Sequence, residues 1–285
     1  MDKYPSDVER MIRLALEEDL GPGDVTTDAV ISGDVQGRAS LFSREEVVLA
    51  GLAVFQDVFR VLDPEVAFEL CFGEGDRIPA GGCVCSLRGR LRSILKGERT
   101  ALNFLQRMSG IATLTREYVD RAGTGEVKIL DTRKTTPGLR WLEKYAVRVG
   151  GGTNHRFGLF DGILIKDNHI AAAGSIRAAV DLAGKNAPHG LKIEVEVENL
   201  AGVAEALSAG ADVILLDNMS VDEMHKAVEL VGGRALLEAS GGVTLDTVGP
   251  IAQTGVDMIS VGALTHSARA VDLSLEIVSD VSADA

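Results

Sequence analysis

Beyond Lys128 the chain repeats one pattern: a short apolar run, a polar or glycine end, then a segment of helix length. Six runs stand out: KILDT at 128–132, GILIKDN at 162–168, LKIEVEV at 191–197, VILLDN at 213–218, ALLEASGG at 235–242 and MISVGA at 258–263. Parallel strands covered on both faces read as near-continuous apolar stretches and need a crossover between them, so the pattern predicts a β/α barrel. AVRVGGG at 146–152 is the candidate for a seventh strand. The segments SAGADVILLDN (208–218) and QTGVDMISVGA (253–263) share Gly, one residue, Asp and then an apolar strand, a weak internal repeat.

The first half has a different texture. Val8, Met11, Ile12, Ala15 and Leu16 fall at helical spacing, and LGPGDVTTD then breaks the pattern with an ordered turn. From Gly37 to Arg92 the runs RASLFS, VVLAG, VAFEL and CVCSLRGRL alternate with turn residues and enclose the helix-like LAVFQDVFRVL, which predicts a small α+β unit. Leu95 to Asp120 carries apolar residues three and four apart, interrupted at Ser-Gly, and predicts helices that connect the halves. The expected domains are 1–112, an N-terminal α+β sandwich with connecting helices, and 113–270, the barrel. The remaining 271–285 is expected to be a tail, helical in its first part.

Composition narrows the partners. The 285 residues carry 29 Lys and Arg against 42 Asp and Glu, a net charge of −13, which disfavours nucleic acid and anionic membrane surfaces. No uncharged run approaches the roughly 18 residues of a membrane span, and the acidic start MDKYPSDVERMIRLALEEDL lacks the features of a signal peptide, so a cytoplasmic protein is expected. Cys71, Cys83 and Cys85 are too few for a disulfide framework and lack metal-ligand spacing; Cys83 and Cys85 would share one face of a strand.

In a β/α barrel the chemistry gathers where the strands end. Here the ends carry Asp131-Thr132-Arg133-Lys134, Lys166-Asp167-Asn168-His169, Glu196, Asp217-Asn218, Ser240-Gly241-Gly242 and Gly262. Between Thr132 and Lys166 seven basic residues meet two acids, a concentration of cations in an acidic chain that suits a small polyanion. Arg140, Lys144 and Arg148 read as a solvated basic helix, whereas Arg133, Lys134, Arg156 and Lys166 stand at strand or loop ends. SGG at 240–242 and VGAL at 261–264 follow the last two strands, where backbone amides commonly hold phosphate; a tight structural turn explains SGG equally well. The sequence has no P-loop, Rossmann fingerprint, zincin motif or hydrolase elbow.

The stretch DTRKTTPGLRWLEKYAVRVGGGTNHRFGLFDGILIKDNHI at 131–170 resembles the quinolinate phosphoribosyltransferase family. So do EEDLGPGDVTTD (17–28), GERTALNFLQRMSGIAT (97–113), EVEVENL (194–200), LLDNM (215–219), EASGGV (238–243) and VGALTHS (261–267). The resemblance covers nearly the whole chain. It implies an N-terminal open α/β sandwich, an incomplete seven-stranded barrel, and a homodimer in which one subunit's N-terminal domain covers the other's barrel mouth. It also implies transfer of phosphoribosyl from phosphoribosyl pyrophosphate to quinolinate with loss of carbon dioxide and with Mg²⁺. By the same resemblance Arg133, His155, Arg156 and Lys166 bind quinolinate, with Arg99 supplied by the neighbouring subunit. Lys134 and Lys166 suit the pyrophosphate and phosphate groups. Glu196 and Asp217 sit near ribose and metal, and Ser240, Gly241, Gly242 and Gly262 hold the 5′-phosphate. Lys134, Lys166, Glu196 and Asp217 are thus the catalytic candidates. Asp131, Asp167 and Asn168 are orienting or merely structural residues. The rival readings are a nicotinate-type or molybdenum-transport-associated relative, a barrel aldolase with a Schiff base on Lys166, and a non-catalytic phosphate-binding barrel.

Overall fold

The computed structural model describes residues 5–123 and 125–278. The chain divides into two compact units: one ends at Thr113 and resumes at Ala268, and the other spans Leu114–Ser267.

The first unit opens with α1 (Ser6–Leu20), which buries Val8, Ile12 and Leu16 along one face. The expected turn follows, and Asp24 in it accepts the Thr26 and Thr27 amides to cap a short second helix, α2 (Val25–Val30). Next come β1 (Gln36–Ser43), β2 (Val47–Val48), α3 (Leu52–Leu62), β3 (Ala67–Leu70), β4 (Arg77–Ile78) and β5 (Cys83–Arg90). In β1 the alternate residues Ala39, Leu41 and Ser43 are buried, the period-two signature of a sheet with one covered face. Phe55 and Phe59 of α3 meet Phe68 of β3 at ring centroid distances of 6.4 and 5.9 Å, so the helix packs on the sheet through aromatic edges. All three cysteines are free thiols.

One continuous helix, α4 (Leu91–Ala122), stands where several were expected. The Ser-Gly pair is a packing notch within it. The Ser109 hydroxyl exchanges hydrogen bonds with the Ala50 backbone, and a Cβ on Gly110 would collide with the Arg269 carbonyl. Small residues let another backbone approach without ending the helix.

The second unit runs β6 (Lys128–Leu130), α5 (Arg140–Val149), β7 (Ile163–Ile165), α6 (Asp167–Ala173), α7 (Ile176–Asn186), β8 (Ile193–Val197), α8 (Leu200–Ala209), β9 (Val213–Asp217), α9 (Val221–Val231), β10 (Leu236–Ser240), α10 (Val248–Ala252), β11 (Met258–Ser260) and α11 (Ala263–His266). Its strands are the six read from the apolar runs, all parallel in the order β6-β11-β10-β9-β8-β7. The candidate seventh strand at 146–152 is corrected: those residues complete α5 and a glycine turn, and pairing reappears only as a single parallel bridge between Leu130 and Thr153. The alternating Ala146, Val147 and Val149 satisfy a helix as well as a strand, and α5 needs Ala146 and Val147 for its buried face.

The expected helical start of the tail is also corrected. Residues 273–278 form β12 (Leu273–Val278), antiparallel to β1 from Leu273 opposite Ser43 to Val278 opposite Arg38. Without it β1 would be an open edge, with unpaired amides and carbonyls along its length. The tail therefore belongs to the first unit, pinned to α4 where the Gln106 amide donates to the Leu273 carbonyl at 3.1 Å.

Candidate active site

A cavity of about 760 Å³ opens at the C-terminal ends of the parallel strands. Side chains two apart share a strand face, so Leu164 and Lys166, Leu215 and Asp217, and Glu238 and Ser240 point into it together. The intervening Ile165, Leu216 and Ala239 are buried on the opposite face.

The cavity gathers the basic candidates Arg133, Lys134, His155, Arg156 and Lys166, the acids Glu196 and Asp217, and Ser240, Gly241, Gly242 and Gly262. Arg99 lies elsewhere, exposed on α4 and outside this lining. Asp167 and Asn168 begin α6, exposed and likewise outside it.

Arg133 and Arg156 are held without full compensation of their charge. The Arg133 Nε is buried with no hydrogen-bond partner. Burial and then the neighbouring Arg133 both disfavour the Arg156 charge, and Glu194 and Asp161 only partly offset them. Arg156 donates to the Gly162 carbonyl at 3.0 Å, while Lys166 is ion-paired with Glu196. Arg140 braces this wall, donating to Thr135 Oγ1 at 2.9 Å and to the Arg133 carbonyl at 3.3 Å. Lys144 is corrected from a solvated position: it is 1% exposed and ion-paired with the fully buried Asp131. Burial pushes the Lys144 pKa down and the Asp131 pKa up, and their mutual attraction opposes both shifts. Asp131 also accepts the His155 amide at 2.8 Å, and the Lys144 ammonium donates to the His155 carbonyl at 3.0 Å.

Asp217 is oriented by its neighbour. Asn218, the one non-glycine residue with positive φ among those described, adopts φ 55° and donates its amide to Asp217 Oδ2 at 2.9 Å. Its backbone N–H donates to the Ser240 carbonyl at 2.9 Å. Asn tolerates this left-handed conformation, which is uncommon elsewhere and concentrates at functional sites. Gly241, at φ 92°, packs so closely that a Cβ would run into the Asn218 carboxamide.

Deeper in the barrel, His155 Nε2 lies 3.2 Å from Glu194 Oε2 and 3.6 Å from Glu238 Oε2. Oε1 of each glutamate is buried and unpartnered. Burial, reinforced by the Glu194 charge, pushes the Glu238 carboxyl up to about 7. Burial opposes a charged His155, but the hydrogen bond to Glu194 and the charges of Glu238 and Glu194 outweigh it and raise its pKa. Against that rise stands the His155 Nδ1, which accepts the Arg156 backbone N–H at 2.7 Å and must keep a free lone pair to do so.

The family model for the quinolinate phosphoribosyl transferase N-terminal domain matches residues 24–109, and that for the C-terminal domain matches residues 111–276. This chain belongs to the quinolinate phosphoribosyltransferase family. Among curated relatives it is 46% identical over 260 residues to a probable nicotinate-nucleotide pyrophosphorylase [carboxylating] of Bacillus subtilis, covering 91% of this chain and 90% of that one. It is 43% identical over 290 residues to quinolinate phosphoribosyltransferase [decarboxylating] 1b of Nicotiana tabacum, covering 95% and 82%. Among solved structures, NadC from Streptococcus pyogenes superposes with a TM-score of 0.94 at 46% identity, covering 98% and 100% of the two chains.

Two residues of this candidate site were not picked out by the strand ends: Glu194 and Glu238. Both glutamates carry a period-two signal. Glu194 precedes Glu196, and Glu238 precedes Ser240, by two residues on the same strand face. Asn218, read with Asp217 at its strand end, carries no local mark of its left-handed backbone, which the structure places against Gly241.

Proposed function

We propose that this chain transfers the phosphoribosyl group of phosphoribosyl pyrophosphate to the ring nitrogen of quinolinate, with loss of carbon dioxide. The products are nicotinate mononucleotide and pyrophosphate, in de novo NAD biosynthesis. The observation that carries the reading is a cavity wall with Arg133 and Arg156, whose charges are buried or crowded without full compensation, beside the Lys166–Glu196 ion pair and Asp217. Two adjacent carboxylates on a pyridine ring supply the charge that this wall lacks, and guanidinium forks suit them. Ribosyl transfer develops positive charge at the anomeric carbon, which the carboxylates of the same cavity favour. Lys134 serves the pyrophosphate, and the backbone at Ser240, Gly241, Gly242 and Gly262 receives the 5′-phosphate.

Glu196 and Asp217 are the residues that would hold Mg²⁺. Two carboxylates, one paired with Lys166 and the other with Asn218, make an incomplete donor set. Such a set fits a cation that takes its remaining oxygens from pyrophosphate, where it would neutralise the charge of the leaving group.

The proposed assembly is a homodimer in which Arg99 of a second copy completes the quinolinate pocket. Its exposure on α4 supports this, as does the apolar loop of Leu159 and Phe160, 72% and 77% exposed, which follows Arg156 in sequence. Among the described residues no helix is long and apolar enough to cross a membrane, and the proposed setting is the cytoplasm, without nucleic acid.

Incubation with quinolinate, phosphoribosyl pyrophosphate and Mg²⁺ should release carbon dioxide and nicotinate mononucleotide together. Turnover of nicotinate in place of quinolinate, without carbon dioxide, would reassign the substrate. Mixed dimers of Arg99→Ala and Lys166→Ala proteins should regain activity at the hybrid site that keeps both residues, and verified heterodimers that stay inactive refute the shared pocket.

A further inference from the structure

We propose that Glu194 is a positioning residue for the dicarboxylate receptor, acting through His155 to fix the backbone at Arg156 and aim its guanidinium. The inference rests on the quinolinate reading of the cavity.

His155 has every polar atom committed. Its N–H donates to Asp131 at 2.8 Å and its carbonyl accepts from Lys144 at 3.0 Å. Its Nδ1 accepts the Arg156 N–H at 2.7 Å, and its Nε2 faces Glu194 at 3.2 Å. A ring whose Nδ1 accepts carries its proton on Nε2, so it donates to Glu194. The result is a chain of hydrogen bonds from the Arg156 amide through the imidazole to Glu194. Its far end is anchored in β8, a rigid strand of the parallel sheet.

A divalent cation is the competing use of this cluster. Among the described residues, His155, Glu194 and Glu238 form the one group of three or more His, Cys, Asp or Glu whose ligand atoms lie within 4.8 Å of one another. A metal on Nε2 requires that nitrogen to be bare and Nδ1 to donate, the reverse of the arrangement around Arg156. One N–H also cannot serve two carboxylates. Glu238, 1% exposed and the farther of the two, is pushed toward its neutral form by burial and the Glu194 charge, which lowers the demand for a second cation.

Glu194 is also one of two acids that offset the burial of Arg156 and the repulsion from Arg133. Position and charge are separable, because glutamine keeps an acceptor for the imidazole N–H but loses the charge.

The test is quinolinate binding by calorimetry, in EDTA and without phosphoribosyl pyrophosphate, for wild type, Glu194→Ala, Glu194→Gln and Arg156→Ala. Glu194→Ala should lose affinity by about 10- to 100-fold, the cost of leaving one buried donor unsatisfied, and Glu194→Gln, which keeps the acceptor, should recover most of the loss. In turnover, KM for quinolinate should rise in Glu194→Ala while KM for phosphoribosyl pyrophosphate holds. Wild-type affinity in Glu194→Ala, equal losses in the Ala and Gln variants, or parallel loss of both substrates would each overturn the proposal. So would a rise in wild-type melting temperature with Zn²⁺ that both Glu194 variants abolish, which would make the cluster a metal site. Failure of the wild type to bind quinolinate strikes the substrate reading instead.

Discussion

Two buried acidic sites in this chain are built on opposite plans. In the first unit Asp63 is 1% exposed and saturated. Arg90 donates to both its oxygens at 2.8 Å, the Ser93 hydroxyl donates at 2.8 Å and the Glu65 amide at 3.1 Å. The Arg90 guanidinium holds its carboxyl well below the usual range, against the effect of burial. In the parallel-stranded unit the polar groups are close but incomplete. Of the four buried side-chain polar atoms without a partner among the described residues, three belong to Arg133, Glu194 and Glu238. A saturated cluster spends its interactions on holding the fold, whereas a deficit beside an open cavity leaves electrostatic attraction for a ligand to satisfy. Lys144 with Asp131 and Lys166 with Glu196 repeat the contrast within one unit: the first pair is sealed, and the second lines the cavity.

The largest expected effect breaks the comparison at its cationic wall. Arg133→Ala and Arg156→Ala should each weaken quinolinate binding by about 2–5 kcal/mol with little change in melting temperature, because burial and mutual repulsion leave the two charges incompletely compensated in the free protein. Calorimetry alongside thermal melts decides, and wild-type affinity in both variants rejects the receptor. Next are the carboxylates of the same cavity. Asp217→Asn should reduce kcat by roughly 10²–10³ while quinolinate affinity stays near wild type. Glu196→Gln should affect both, since Glu196 also holds Lys166; weakened quinolinate binding with normal kcat in Asp217→Asn would deny the carboxylate its role in ribosyl transfer.

The saturated site should answer in stability alone. Asp63→Ala should cost about 1–3 kcal/mol of folding free energy and leave both KM values in place, and a change in KM would erase the distinction. Its pKa is depressed in the folded state, so its contribution is present above the unfolded value of 3.8 and fades as the pH falls below it. Glu238 has the reverse sign. Its folded value of about 7 exceeds the ordinary 4.5, so its contribution is full below 4.5 and is lost as the pH rises through 7. Wild type should therefore lose more thermal stability than Glu238→Gln between about pH 5 and pH 8, the smallest of these effects; parallel melting curves would show that Glu238 is already ionised.

Much of the site was legible because a strand of known direction announces where it ends. The apolar runs located all six parallel strands, and reading their polar ends brought Arg133, Lys166, Glu196, Asp217 and Ser240 into one cavity. Elements whose pattern admits two structures were not legible. The residues around Ala146 to Val149 suit a helix or a strand, and LSLEIV at 273–278 becomes a strand because β1 offers a free edge distant in sequence. Lys144 read as solvated because a basic residue on a polar helix usually is, and only Asp131 on β6's trailing turn made its burial affordable.

By itself the sequence determined the alternating β/α order, the identity of the strand-end side chains and the local concentration of positive charge, since each depends on short-range periodicity or composition. Tertiary structure alone decided which of those groups are satisfied. The partners of His155 come from β8, β10 and the turn that carries Asp131, and Asn218 packs against Gly241, which follows the neighbouring strand. Hydrogen bonding and burial act over a few ångströms in space, and residues far apart along the chain come within that range only when the register of the sheet is set.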